Sequence, residues 1–399
     1  MEEADDRRAR RNVLRLAVAQ ALAGANATVV FATASIVGVT LAPERGLATL
    51  PVSVFVCGMA AGTLPTGAVA RRYGRRVAFV GGSGIGCLAG LVATAALLQG
   101  SFVLYCVATF LAGLYGAVVQ SFRFAAADGA SPAFRPRALS WVMVGGVFSG
   151  VLGPQLVTLT MGLWQPYLFA ASYLAQAVVA LLAMAVLSGV DLPRPVRASA
   201  GAGRPLLQII SQPRFIVAAL CGVTTYTLMN LVMTSAPLAM RLCGLPVSAS
   251  NATIQWHVVA MYGPSFVTGA IIARVGAQRV VAAGLVLLAA AAACGLAGIG
   301  LANFTFGLIL LGVGWNFGFV GASSLVLETH RPEERTRVQS FNDFLVFGTM
   351  AVGSFSSGKL LVLYGWATVN WVVLPPVALG LVALAVSGRL FSRARERVA

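Results

Sequence analysis

Two stretches decide how this chain is read: SPAFRPRALS at 131–140 and RPEERTRVQS at 331–340. Pro132, Arg135, Arg137 and Ser140 match Pro332, Arg335, Arg337 and Ser340 at one constant offset. A second pair repeats at nearly the same offset, GAVARRYG (67–74) and GAIIARVG (269–276), with both glycines at equal separation. Such weak internal symmetry is the mark of a duplicated unit. Two similar halves are expected, 1–190 and 213–399, joined by a cytoplasmic linker at 191–212. The linker contains LPRPVRASAGAGRP, rich in Pro, Gly, Ala and Arg, and is expected to be flexible.

What fills each half follows from composition. Of 399 residues 58% are hydrophobic and 10% charged, with mean hydropathy +0.85. Soluble domains carry about 25% charged residues. One core cannot hide this much apolar surface, so lipid must serve as solvent. A spanning helix needs about 20 apolar residues. Twelve such runs centre near residues 26, 58, 87, 112, 150, 177, 226, 262, 289, 313, 352 and 379. The fold class expected is an all-α membrane protein of twelve transmembrane helices in two six-helix pseudo-repeats.

Charge placement orients the chain. A net charge of +16 would suggest nucleic acid in a soluble protein. Here the arginines cluster in alternate loops instead. Arg7, Arg8, Arg10, Arg11 and Arg15 open the first span; Arg71, Arg72, Arg75 and Arg76 follow the second. Arg123, Arg135 and Arg137 lie around the junction of spans four and five, and Arg194, Arg197, Arg204 and Arg214 between the halves. Arg274 and Arg279, then Arg331, Arg335 and Arg337, follow spans eight and ten, and Arg389, Arg393, Arg395 and Arg397 close the chain. The opposite loops hold only Arg45 and Arg241. The positive-inside rule then puts both termini in the cytoplasm. Lys359, the one lysine, can snorkel to the interface. The opening arginines and ALAGANA resemble a secretory signal, but the apolar run continues to about Leu41, longer than a signal core of roughly 7–15 residues. The six cysteines lack tight pairing and read as buried thiols.

Two short motifs point to chemistry. MNLVM (229–233) in span seven and HVVAM (257–261) in span eight each place soft side chains four residues apart, on one helix face. In antiparallel neighbours, Met233 with His257 and Met229 with Met261 share one index sum, so the pairs stand at matching heights. Three thioethers and an imidazole, with no carboxylate, favour Cu(I) over harder ions. Cys221, below Thr225 on span seven, offers a thiol on the way inward. The same methionines could simply pack the core. Enzyme chemistry has no support: there is no paired carboxylate, no nucleophile with a neighbouring base, and His330 lies in a charged loop.

GAVARRYGRR resembles the loop between spans two and three of the major facilitator superfamily, although Arg71 stands where that pattern carries an aspartate. The resemblance implies the major facilitator fold. It would bring Asp343, which opens span eleven, near Arg71 or Arg72, giving a cytoplasmic gate of Arg71, Arg72, Arg75, Asp128 and Asp343; a proton relay through these acids is the alternative. MxxxM with HxxxM further resembles the CcoA-type copper importers, the CalT branch of that superfamily. That resemblance implies a metal site of Met229, Met233, His257 and Met261, with Cys221 and Cys243 placed like the family's span-seven cysteines. It implies import of copper, free or on a small carrier, across the bacterial inner membrane. The copper would feed cbb3-type cytochrome oxidase assembly, with copper chaperones downstream. Copper is cargo in this reading, with no permanently bound cofactor and no nucleic-acid partner. Similar sequences lacking the Met and His pattern resemble riboflavin transporters. An organic-solute transporter, for flavin or drug, and a non-transporting copper receptor therefore stand as alternatives.

Overall fold

The computed structural model describes residues 2–44, 47, 50–192 and 203–396; Arg45, Arg194, Arg197, Arg397 and the middle of the linker lie outside them. The described residues form fifteen helices and no strand. In hydrocarbon no water is at hand for backbone N–H and C=O groups, so each long apolar run closes its bonds within itself.

The chain divides into two compact units, the first being Met1–Ser199 with Gln339–Phe344. Its helices are α1 (Glu2–Leu41), α2 (Leu50–Tyr73), α3 (Arg75–Gln99), α4 (Phe102–Gln120), α5 (Phe122–Asp128), α6 (Arg135–Thr160) and α7 (Ala170–Ser188). α1 runs without a break through ALAGANA. It packs on α6, α2 on α4, and α3 on both α4 and α7. Small residues allow the closest approach: a Cβ on Gly113 of α4 would lie 2.9 Å from Gly58 Cα of α2 and would strike the Phe55 carbonyl. Close backbone contact of this kind holds helices together where lipid offers no hydrophobic drive. α4 and α5 are one span interrupted at Ser121, whose hydroxyl donates to the Val118 carbonyl at 2.7 Å.

The second unit is Ala200–Val338 with Leu345–Ala399. It holds α8 (Leu206–Ile210), α9 (Pro213–Leu242), α10 (Val247–Tyr262), α11 (Ser265–Val275), α12 (Ala277–Ala297), α13 (Leu301–Leu327), α14 (Arg335–Trp371) and α15 (Leu374–Glu396). α10 and α11 form one span broken at Gly263–Pro264, where proline has no N–H to donate. α13 lies at the centre, packed on α9, α10 and α12. Taking α4 with α5 and α10 with α11, each half supplies six spans. By length and apolar content alone eleven stretches of described helix qualify, the last of them Lys359–Ser387 across the turn between α14 and α15.

The end of the linker is docked rather than free. Arg204 donates from Nε and Nη2 to Glu334 at 2.9 and 2.7 Å, and its backbone N–H donates to the same carboxylate at 2.8 Å. The Arg331 N–H adds a bond at 2.9 Å, and Arg337 donates back to the Arg204 carbonyl. Glu334 is 2% exposed. The Arg204 guanidinium, with help from backbone N–H groups, holds its carboxyl down to about 2.

Candidate functional site

The four residues of the Met/His ladder lie on α9 and α10, and the α10 pair is engaged by α13. His257 is fully buried, and its Nδ1 lies 2.7 Å from the Leu308 carbonyl of α13. Gly312 makes this approach possible: a Cβ there would lie 2.7 Å from the His257 carbonyl oxygen and 2.9 Å from Met261 N. One turn on, Asn316 donates to the Met261 carbonyl at 2.7 Å and to Ser265 at 2.6 Å, and accepts from Thr268. The Nδ1 edge of the His257 ring faces the Leu308 carbonyl of α13. Met229 and Met261 are buried and Met233 is half-buried. Cys221 is a buried free thiol and Cys243 a half-buried one at the end of α9. Among the described residues no three His, Cys, Asp or Glu side chains gather to hold a metal.

Beside this turn lies an aromatic group whose Trp315, Phe319 and Phe347 the sequence did not single out. Tyr226 of α9 meets Trp315, Phe319 and Phe347 edge-on, with centroids 5.5, 4.9 and 5.3 Å apart. Trp315 stacks on Phe319 at 5.2 Å and meets Tyr262 edge-on at 5.4 Å. A signal was present in the sequence: tryptophan favours the membrane interfaces, and Trp315 falls in the middle of a span. Four polar atoms on these helices are buried without a partner: Thr225 Oγ1, Asn230 Nδ2, His257 Nε2 and Trp315 Nε1. An unpartnered polar group in an apolar interior is costly and calls for an explanation. Asn26 and Asn316, by contrast, serve as interhelical hydrogen-bonding residues.

The acids of the expected gate are paired within the first unit. Arg123 Nη2 lies 2.5 Å from Asp343 Oδ1, with both side chains buried. The guanidinium also sits 4.4 Å over the Phe124 ring. Arg75 contacts Asp128 at 2.5 and 2.8 Å and donates to Gln339, whose amide reaches Asp128 at 3.3 Å. Arg71 and Arg72 are exposed. The cation that meets Asp343 therefore comes from α5, not from the loop position where Arg71 replaces the usual acid.

Twelve apolar spans in two repeated sets, with ion pairs and polar atoms buried inside them, define a multi-pass membrane transporter. Residues 16–263 match the family model described as Major Facilitator Superfamily, and the chain belongs to that superfamily. It is 46% identical over 380 residues to the riboflavin transporter RfnT of Brucella anthropi, covering 94% of this chain and 95% of that protein. It is 28% identical to the uncharacterized transporter YdeG of Bacillus subtilis, over 88% and 86% of the two chains. Among solved structures the proton:xylose symporter XylE superposes with a TM-score of 0.79 at 13% identity, over 98% and 96% of the chains, a likeness of fold alone.

The match to RfnT overturns the copper-importer reading. A relative this similar along nearly the whole chain bears the name of a riboflavin transporter. Copper import and its supply to oxidase assembly go with that correction. The physical reason for the misreading is that sulfur at helical spacing is also ordinary packing material.

Proposed function

We propose that this chain carries riboflavin, or a closely related flavin, across the bacterial inner membrane by alternating access of its two halves. The observation that carries the reading is 46% identity over nearly the full length of both chains to a protein named as a riboflavin transporter. The second unit supports it chemically. Tyr226, Trp315, Phe319 and Phe347 offer aromatic faces and edges of the kind that hold a flat ring system. Between Phe215 and Met240 α9 carries no formally charged residue, and neither α10 nor α13 carries any, which suits a neutral solute. The arginine-rich loops support an orientation with both termini in the cytoplasm. The test is uptake of labelled riboflavin into bacteria that can neither make nor import it. Saturable uptake, with growth rescued at low external riboflavin, is the expected result. Cells that express the chain at normal membrane levels and take up none would sink the proposal.

A further inference from the structure

We propose that the turn between α2 and α3 is a docking site for the headgroup of an anionic phospholipid, whose phosphate is held by Arg71, Arg72, Tyr73 and Arg76. The inference is independent of which solute the chain carries.

The sequence concentrates positive charge at this turn. RRYGRR at 71–76 places four arginines in six residues, and no acid stands between Glu44 and Asp128. The fold then divides the four. Arg75 turns inward, 8% exposed, and its charge is met by buried Asp128. Asp343, the other acid buried in this unit, is met by Arg123. Arg71, Arg72 and Arg76 stay exposed and form no ion pair among the described residues. Gly74, at φ 95°, turns the chain within one residue, so the arginines on either side of it share one patch. Tyr73 is 58% exposed, with the Arg72 guanidinium 5.2 Å from its ring centroid. Other basic groups are already engaged: Arg8 pairs with Asp191, Arg10 lies over Phe134, and Arg204 is clamped by Glu334.

Apolar neighbours set the depth of the patch. Leu64 and Val69 on α2, and Val77 and Leu88 on α3, are exposed large hydrophobic side chains. On spanning helices such side chains suit acyl chains. Val69 lies three residues before Arg72, and Val77 directly follows Arg76. The arginines therefore stand where acyl chains give way to headgroups. Tyrosine is favoured at that boundary. Guanidinium groups meet phosphate there in paired, charge-assisted hydrogen bonds. Basic segments beside a membrane span attract anionic lipid for the same reason. A free phosphate in water would need none of the apolar flanks, so lipid is the source of phosphate that this surface fits.

Three probes test this: dioctanoyl phosphatidylglycerol, dioctanoyl phosphatidylcholine and inorganic phosphate. Each is titrated into the full chain in a neutral detergent while the unfolding temperature is followed. Phosphatidylglycerol is expected to raise that temperature saturably, with a half-effect concentration that increases with salt. The other two probes are expected to leave it unchanged over the same range. The triple variant Arg71→Gln, Arg72→Gln, Arg76→Gln should raise the half-effect concentration by on the order of tenfold. A control triple, Arg137→Gln, Arg274→Gln, Arg279→Gln, removes equal charge from other exposed positions and should stay near the parental value. Equal protection by phosphatidylcholine or by inorganic phosphate, no protection by phosphatidylglycerol, or protection insensitive to salt overturns the inference on the intact chain alone. So does a loop variant that responds like the parent. Equal weakening in both triples also overturns it, because the attraction would then belong to net charge and not to this turn.

Discussion

Asp343 and Arg123 are 3% and 1% exposed, and neither charge has water to fall back on. Removing one partner of such a pair leaves the other buried and uncompensated, a cost of about 3–5 kcal/mol. Asp343→Asn is therefore expected to lower the thermal stability of the purified protein sharply, with Arg123→Met plus Asp343→Leu recovering most of the loss. A single variant as stable as the parent would mean the pair is hydrated in solution. Met229→Leu and Met233→Leu are expected to behave oppositely, because the swap conserves volume and costs under about 1.5 kcal/mol. Riboflavin uptake by the double variant should stay near the parental level, and its abolition would restore a specific role to the sulfurs. These residues mark where reading from sequence stops. The acids, the histidine and the methionines were all visible in the sequence. Side-chain direction was not, because an index sum fixes position along a helix and leaves rotation about it open. His257 turns to the Leu308 carbonyl, and Asp343 finds Arg123 rather than Arg71 or Arg72, through helix packing that spacing does not encode.

The spans themselves were legible as apolar runs, since a membrane helix must satisfy its own backbone and has only length and hydropathy to announce. Their interruptions were less so. The break at Gly263–Pro264 follows from proline chemistry, whereas the one at Ser121 turns on a hydroxyl that donates to Val118 and has no strong sequence mark. Contact between helices depends on small residues in places the sequence lists but does not rank. Gly312 and Gly81 look alike in the chain, yet a Cβ on Gly312 would press on the α10 backbone at 2.7 Å and one on Gly81 would meet nothing within 4 Å. Gly312→Ala should force α13 away from α10 at a cost of about 1–3 kcal/mol. Gly81→Ala should be neutral or stabilising by up to about 1 kcal/mol, since alanine is the better helix former. Thermal unfolding of the two variants beside the parent checks both expectations. Equal destabilisation would show that the α10–α13 approach is not tight.

Across the whole molecule the duplication visible at 131–140 and 331–340 recurs as one device with two chemistries. In the first half Phe134 lies under the guanidinium of Arg10, at 5.7 Å, near the start of α1. At the matching place in the second half stands Glu334, clamped by Arg204 just before α8. Each repeated loop thus receives an arginine from the segment that leads into its own half, by a cation–π contact in one case and an ion pair in the other. Only the second version titrates. The folded-state value of Glu334, about 2, lies below the ordinary 4.5, so the unfolded chain takes up its proton first as acid is added. The stabilisation is therefore fully present above about pH 4.5, declines as pH falls from there, and is gone once pH has passed through about 2. Glu334→Gln should lower the unfolding temperature at neutral pH. The gap from the parent should hold steady down to about pH 5 and then narrow steadily in acid. A gap that widens in acid would reverse the sign of the linkage. No gap at neutral pH would mean that Arg204 leaves the carboxylate in solution and that the linker end is not docked there.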